Sequence, residues 1–553
     1  MGLAKVNAVV VGSGAGGGVV ACQLAEAGLS VVLFERGRWH SVSDERKDDL
    51  VNQRNASLGL AYGPDEKKNP RVFVDLEGQE HVISPDDHRY NANAACVGGG
   101  TACYGAQAWR FMPQDFQMRS LYGEIEGSTL EDWPITYDDL EPYYEKAEYE
   151  IGVSGDVAPN IFQGARKKPL PMPPMEPKSR EYEILKPAAL RLGLHPFDLP
   201  LLINSVPYRG RSACMRIRWC VGFGCETDAK NGTQNTVIPR ALATRNCLLR
   251  TDCVVKEVLV NDQGRATGVA FFDEHDQLQE QPADLVVVSC GATESARLLL
   301  MSKSRLFPEG IGNRHDWVGR NLQGHTYTGA TGYFPEDVDC YDDIGPGACL
   351  AACDYNHGNE ALAGGGMLAN EFIRLPIQFV NDLPRDTPRW GSAHKDAMRR
   401  YYRHNIAVRG PTQEMPVWDA RVRLDPVVKD HWGLPVVRLS GGKHPHTIEI
   451  ANHQAERAAE WLKEAGADLV GLRRAGPGLS GGQHQAGTCR MGSDPKSSVV
   501  DPWHRVHDLD NVFVVDASVH VTNGGFNPVL TIMALAFRAG EHIAKEWRRG
   551  GLR

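Results

Sequence analysis

The first thirty-five residues leave this chain little choice of fold. "VNAVVVGSGAGGGVVACQLAEAGLSVVLFERG" runs from an apolar strand, Val6 to Val11, into Gly12-x-Gly14-x-x-Gly17. A helix of apolar period follows to about Ala27, then a second strand, Ser30 to Phe34, which ends at Glu35. Strands buried on both faces read as unbroken apolar runs, and parallel neighbours need such a crossover between them. The glycines close the turn and let the backbone approach a pyrophosphate. The helix N-terminus beyond them offers free N–H groups and the positive end of its dipole. An acid at the tip of the second strand accepts ribose hydroxyls, and Glu35 stands there. Strand, glycines, helix, strand and acid in that order predict an α/β, Rossmann-like domain for an adenine dinucleotide. The motif alone does not choose between NAD and FAD.

At 553 residues the chain exceeds one ordinary core, so two or three domains are expected. A net charge of -9 argues against a nucleic-acid partner, and the basic run "RRYYRHN" from Arg399 reads as a solvated helix face. There is no apolar stretch of about 20 residues to span a membrane. No secretory apolar region precedes the glycines, so the cytoplasm is the default location. Thirteen cysteines at irregular spacing fit reduced thiols better than a disulfide framework.

Further segments carry a resemblance. "VGGGTACYGAQAWRF", "DWPITYDDLEPYYEKAE", "DAKNGTQNTVIPRAL", "VVVSCGATESARLLL", "VGRNLQGH", "LDPVVKDHWGLPVVRL" and the stretch from His484 to Ile543 resemble the glucose-methanol-choline (GMC) oxidoreductases. The match covers most of the chain. It leans toward the branch with pyranose oxidase and the large subunits of bacterial gluconate and related sugar dehydrogenases. The resemblance implies FAD. It also implies a discontinuous FAD-binding domain over about 1–40, 85–130, 205–320 and 484–553. The other segments, 41–84, 131–204 and 321–483, would form an α+β substrate domain around a large antiparallel sheet, with connecting segments. Gly99, Thr101, Cys103 and Gly105 of the "GGGTACYGA" loop, and Asp516, Ala517 and Pro528 near the end, become cofactor-binding candidates.

The residues support this independently. "ADLVVVSCGA" is an apolar strand stopped by Gly291, and "NVFVVDASV" is another that carries Asp516 at its end, where ligands of parallel sheets sit. Asp516 is therefore placed for a polar contact with the cofactor, or for a turn cap. "VVKEVLVNDQGRATGVAFFD" reads as a hairpin and "RVRLDPVVKDHWGLPVVRL" as two strands. "HTIEIANHQAERAAEWLKEAG" reads as a helix ending at Gly466, and "KPLPMPPMEP" as an extended connector.

Oxidising an alcohol by hydride transfer needs a base for the O–H proton and a group that holds the oxygen. In the resembled branch these are a histidine before a glycine turn and an asparagine in an "NP" motif, here His484 and Asn527. "Asn527-Pro528" also reads as a cap with a first-turn proline for the helix that follows. Only His484 is basic enough to take the proton. His504, His507 and His520 do not fall at the matched positions.

The reaction implied is oxidation of a secondary hydroxyl of a sugar or glycoside. Electrons would pass to a quinone, a cytochrome or O2, dehydrogenase ahead of oxidase, with a small partner subunit as a further expectation. A non-sugar alcohol, or a flavin protein without turnover, are the alternatives.

Three departures from the family pattern stand out. No histidine follows the double glycine where pyranose oxidase bonds its flavin; Cys103 lies near that position, so non-covalent FAD is expected, with a thioether or a plain buried thiol as alternatives. Cys214, Cys220 and Cys225 lie where some relatives hold an iron–sulfur centre. They are too dispersed to predict a metal, although a three-iron centre stays open. Gly324 stands where relatives usually carry Asp before His325, and a structural role is the expectation for that histidine, with a place at the domain interface or in the pocket as the alternative.

Overall fold

The computed structural model describes residues 3–44, 47, 62–371, 375–482 and 484–552. The long strand Leu278–Val288 organises the first sheet, because its two halves make different pairings. Its apolar half, "ADLVVV", lies parallel to Val6–Val11, with Val11 opposite Val288. Its polar half, "LQEQP", lies antiparallel to Ala266–Phe272. The parallel order continues through Val31–Phe34 to Cys247–Arg250, and Val512–Val514 joins the other side of Leu278–Val288. The helix Ala15–Glu26 packs on this sheet, and the helix Val529–Arg548 packs against that helix at close range: a Cβ on Gly540 would lie 3.0 Å from that of Gln23. Gly12, Glu35, Ser289 and Asp516 all follow the carboxyl ends of these strands and so meet at one edge.

The hairpin around "NDQG" forms from Val254–Val260 and Ala266–Phe272. It extends the first sheet, since its second strand runs on to pair with residues 278–282.

The second sheet has seven strands in the order Leu469–Arg473, Thr326–Tyr333, Asn405–Thr412, Leu368–Asn370, Leu350–Ala352, Phe197–Leu201, Ser154–Asp156, paired antiparallel. Successive side chains of a strand point to opposite faces. Ala330, Ile406 and Val408 therefore pack on Ala458, Trp461 and Leu462 of the helix Pro445–Glu464. Tyr327 and Arg409 face the other way, into a cavity between the two sheets. That helix stops where Gly466 adopts φ +98°. The strands read from "RVRLDPVVKDHWGLPVVRL", Arg421–Lys429 and Pro435–Ser440, join Arg71–Val74 and Glu80–Ile83 in a separate four-stranded sheet. The basic run begins on the last three residues of the helix Gly391–Tyr401, none of whose residues is buried, and leads into the strand Asn405–Thr412. Among the described residues no helix is long and apolar enough to cross a membrane.

Candidate active site

The cavity between the sheets has a volume of about 780 Å³ and runs from the glycine turn to His484 and Asn527. At its phosphate end each glycine of the motif has a distinct reason to be one. Gly12 takes φ +95°, and a Cβ there would lie 2.2 Å from the Ser289 carbonyl oxygen. A Cβ on Gly17 would lie 1.9 Å from the Gly12 oxygen, so this glycine lets the helix sit against the strand. A Cβ on Gly14 would meet no protein atom within 4 Å. Gly14 caps the helix with no side chain bonded to the first-turn N–H groups, which stay available to an anion.

Glu35 is buried at the tip of its strand and lines the cavity. Its carboxylate accepts from the Ser13 amide (3.1 Å), the Ser13 hydroxyl (2.7 Å) and the Gly37 amide (3.1 Å). Burial pushes its pKa up against those bonds. Asp516 combines both sequence readings. It caps the turn Ala517–Val519 through Ser518 N–H (2.8 Å), binds Gly291 N–H (3.0 Å) and the Ser295 hydroxyl (2.5 Å), and lines the cavity beside Ala517. Gly99, Thr101, Gly105 and Pro528 also line the cavity. Two candidates do not. Gly17 acts behind Gly12, and Cys103 packs with Tyr62, Cys96 and Ala102 in a small cluster away from the lining.

At the opposite end the geometry fixes proton positions. His325 precedes the strand Thr326–Tyr333, and its Nε2 lies 3.0 Å from the Asn523 carbonyl and 2.9 Å from that of Gly524. Carbonyls only accept, so Nε2 carries the hydrogen and a neutral His325 presents a bare Nδ1. That Nδ1 lies 3.0 Å from His484 Nδ1, which must therefore donate. His484 is left with its lone pair on Nε2, on a ring that lines the cavity. Burial holds the His484 pKa well below its usual value, and His325 adds to the effect. The ring is thus a neutral base at physiological pH. The structural role expected of His325 is corrected here: its ring lines the cavity and sets the tautomer of His484.

Asn527 also departs from expectation. Pro528 occupies the cap position of the helix Val529–Arg548, which has no side-chain cap. Asn527 lies one residue earlier, and its Nδ2 donates across the cavity to the Tyr327 hydroxyl at 2.7 Å. Its Oδ1 is buried with no protein partner. Tyr327 itself lies 5.8 Å, ring to ring, from His484. The sequence reading missed Tyr327, although its position two residues after His325, at the start of an alternating strand, carries the signal. It also missed Asn523, whose side-chain amide donates to the His484 carbonyl at 2.8 Å. His504, His507 and His520 lie outside the cavity lining. His520 holds Asn523 from behind (3.0 Å), His504 binds the Val514 carbonyl (3.0 Å), and His507 binds Ser498 (2.9 Å).

Cys214, Cys220 and Cys225 sit partly exposed on a loop tied down by Lys230, whose buried ammonium donates to the carbonyls of Phe223 (2.6 Å), Cys220 (2.7 Å) and Tyr104 (3.2 Å). Among the described residues no three His, Cys, Asp or Glu side chains converge as metal ligands.

The second sheet supplies a polar wall one step beyond Tyr327. Gly329 lies opposite Arg409 on one neighbour and Arg473 on the other. A Cβ on Gly329 would lie 2.8 Å from Arg409 Cγ, so the glycine leaves that side chain its place over the sheet. Arg409 is buried and held by Asp382 (2.6 Å) and Thr331 (3.0 Å); it lines the cavity together with Glu371 and Arg473. The open space above Gly14, the uncapped first turn and a cavity lined from the glycine turn to His484 and Asn527 fit FAD.

Comparison with known proteins agrees. The GMC oxidoreductase family models match residues 15–327 and 416–536. The chain is similar to 6'''-hydroxyparomomycin C oxidase of Streptomyces lividus, 32% identical over 97% of this chain and 90% of that protein. It is 30% identical to 2-methyl-1,2-propanediol dehydrogenase of Mycolicibacterium austroafricanum, over 98% of this chain and 96% of the other. Its fold is similar to that of pyridoxine 4-oxidase from Mesorbium loti, with a TM-score of 0.63, 17% identity and 99% of each chain covered. The chain belongs to the GMC oxidoreductases and is an FAD-dependent oxidoreductase acting on CH–OH groups.

Proposed function

We propose that this protein oxidises a secondary hydroxyl of a sugar or glycoside to the ketone, with His484 as the base and Asn527, held by Tyr327, positioning the oxygen. The observation that carries the reading is the hydrogen-bond order at the far end of the cavity. Two carbonyls lock His325, His325 locks His484, and the free lone pair of His484 shares a cavity with the orphaned Asn527 oxygen. His484 Nε2 takes the hydroxyl proton. Asn527 and Tyr327 hold the oxygen so that the C–H bond faces the cofactor. FAD bound along the cavity supplies the hydride acceptor. Non-covalent attachment is supported by the position of Cys103 outside the lining and by the lack of a histidine in residues 97–111.

A polyhydroxylated substrate is supported by the side chains of Arg409, Arg473, Glu371 and Tyr327, which line the cavity together with His484 and Asn527 and offer several hydrogen bonds. The similarity to a small-diol dehydrogenase supports a second reading, a compact branched diol. Dehydrogenase activity is placed ahead of oxidase activity on the sequence resemblance to sugar-dehydrogenase large subunits. The deciding experiment is an anaerobic visible spectrum of the purified holoenzyme against a panel of sugars, glycosides and small diols, with air admitted last. Bleaching by a sugar supports the first reading, and bleaching by diols alone replaces it with the second. Slow recovery in air marks a dehydrogenase and fast recovery an oxidase. If no alcohol bleaches a bound flavin, both readings fall.

A further inference from the structure

A neutral base buried in a low-dielectric site becomes a cation when it works, and a buried cation without a counter-charge is costly. Among the described residues the His484 ring hydrogen-bonds no carboxylate; it is bonded to His325. The proton it takes at Nε2 leaves the positive charge on an imidazole pair that shares the hydrogen between the two Nδ1 atoms. The far hydrogen of His325, on Nε2, is tied to two carbonyls that cannot accept a second one, so the charge stays on the pair. The next question is what faces that pair.

Three titratable groups do, from three different segments. His520 comes from the loop after Val519. Asp115 comes from the turn Pro113–Phe116 and Glu414 from just beyond the strand Asn405–Thr412. His520 is neutral, its pKa brought to about 4 by burial. Asp115 is already committed, to His357 at 3.1 Å and to the Met112 amide at 2.7 Å. Glu414 differs. Its carboxylate is buried and straddles His325 in the chain, accepting from the Gly324 amide at 2.9 Å and the Thr326 hydroxyl at 2.7 Å. Ser480 donates to the same oxygen as Thr326. Its three donors are an amide and two hydroxyls, and none of them carries a charge. Lys443 stands behind it, its ammonium bonded among the described residues to the Gly476 and Gly478 carbonyls.

We propose that Glu414 is a positioning residue that holds the charge of the His325–His484 pair, so that His484 is basic enough to take the substrate proton. This rests on the assignment of His484 as the base. Gly324 belongs to the same device: a Cβ there would lie 2.7 Å from Ser480 Cβ, so glycine lets Ser480 close on the carboxylate. Burial lowers the His325 pKa and Glu414 is the largest opposing influence, which agrees with the geometry.

The test is the titration of histidine side chains in the holoenzyme by selective 15N labelling, compared with the pH profile of flavin bleaching by whichever panel sugar is active. In the wild type His325 shows a protonated Nε2 and His484 the rarer protonated Nδ1. Glu414→Gln lowers the midpoint of the pair by on the order of one pH unit, the scale of one unscreened neighbouring charge. Glu414→Asp restores part of the shift, and the acid limb of the kinetic profile moves the same way. Lys443→Met, which leaves the donors to Glu414 in place, raises the midpoint and keeps the test open should Glu414→Gln fail to fold. An unmoved midpoint in both Glu414→Gln and Lys443→Met overturns the proposal. Failure of the base assignment is separate: His484→Asn would then still allow bleaching, whatever the two charge variants do.

Discussion

The glycine turn permits a prediction in which two neighbouring substitutions fail in opposite ways. In Gly17→Ala the new methyl meets the Gly12 carbonyl oxygen at 1.9 Å, and the Gly12 carbon at 3.0 Å and Ser289 Cβ at 3.1 Å leave it no side exit. Gly12 cannot retreat, because its own φ of +95° and its contact with Ser289 fix it. The helix Ala15–Glu26 must then lift from the sheet by more than an ångström. That is overpacking against backbone, at the upper end of the usual cost, about 3 kcal/mol. Gly14→Ala meets nothing, and Gly14 has an ordinary φ of -65°. Its stability effect is neutral or a gain of about 0.5 kcal/mol from the stiffer unfolded chain. The methyl instead occupies the space through which a pyrophosphate approaches the helix N-terminus, so affinity for FAD falls at least tenfold, about 1.4 kcal/mol. The assay pairs thermal unfolding of the flavin-free proteins with titration of each by FAD, followed by quenching of flavin fluorescence. Gly17→Ala unfolds several degrees early with or without flavin. Gly14→Ala unfolds with the wild type when empty and loses the stabilisation that flavin brings. Wild-type FAD affinity in Gly14→Ala would falsify the placement of the phosphate, and an unchanged melting temperature in Gly17→Ala would refute the packing argument.

Other expectations follow from single contacts. His484→Asn lowers the rate of anaerobic flavin bleaching by roughly 10²–10⁴-fold with flavin content unchanged, the usual contribution of a positioned base. In the wild type, burial and His325 hold the His484 pKa well below 6.5, so kcat/KM is flat through neutrality and falls only at clearly acidic pH; an acid limb centred at or above 6.5 contradicts this. Tyr327→Phe removes the hydroxyl that fixes Asn527 and costs about tenfold in kcat/KM, near 1–1.5 kcal/mol, while flavin binding is retained. Glu294→Gln tests the charge cluster at the opposite end of the cavity. Burial alone would raise the Glu294 pKa, but Arg71 at 2.6 Å, Arg36 and Arg297 outweigh it and hold it far below the usual carboxylate range. A depressed pKa gives stability that is present above the unfolded value near 4.5 and lost as pH falls below it. The variant is therefore less stable at pH 7, by about 3 kcal/mol, and loses less as the pH is taken from above 4.5 to well below it in chemical denaturation.

What was legible in the sequence was whatever depends on neighbours in the chain. The turn from Gly12 to Gly17, the apolar strands and the acid at Glu35 are local patterns whose partners lie within one crossover, so their roles could be read before any coordinates. His484 and Asn527 were named because a family resemblance placed them, and the cavity brings them together. The misses share one cause. Asn527-Pro528 looks like a cap because capping is local chemistry. The side chain is instead taken by Tyr327, 200 residues away. His325 looks structural because nothing beside it in the chain suggests chemistry; only the fold sets it 3.0 Å from His484. Glu414 was invisible for the same reason, since its partners at Gly324, Thr326 and Ser480 lie 90, 88 and 66 residues away. Cys103 erred in the opposite direction: proximity in sequence to the double glycine suggested the flavin, yet a single turn of the loop Gly99–Ala102 points the thiol into a cluster with Tyr62 and Cys96. A phosphate site is made mostly of backbone, and backbone follows local sequence. A base is made of side chains whose protonation is set by what the tertiary structure brings beside them. The cofactor end of such a chain can thus be read one segment at a time, whereas the chemical end becomes legible only when strands from three parts of the chain are paired.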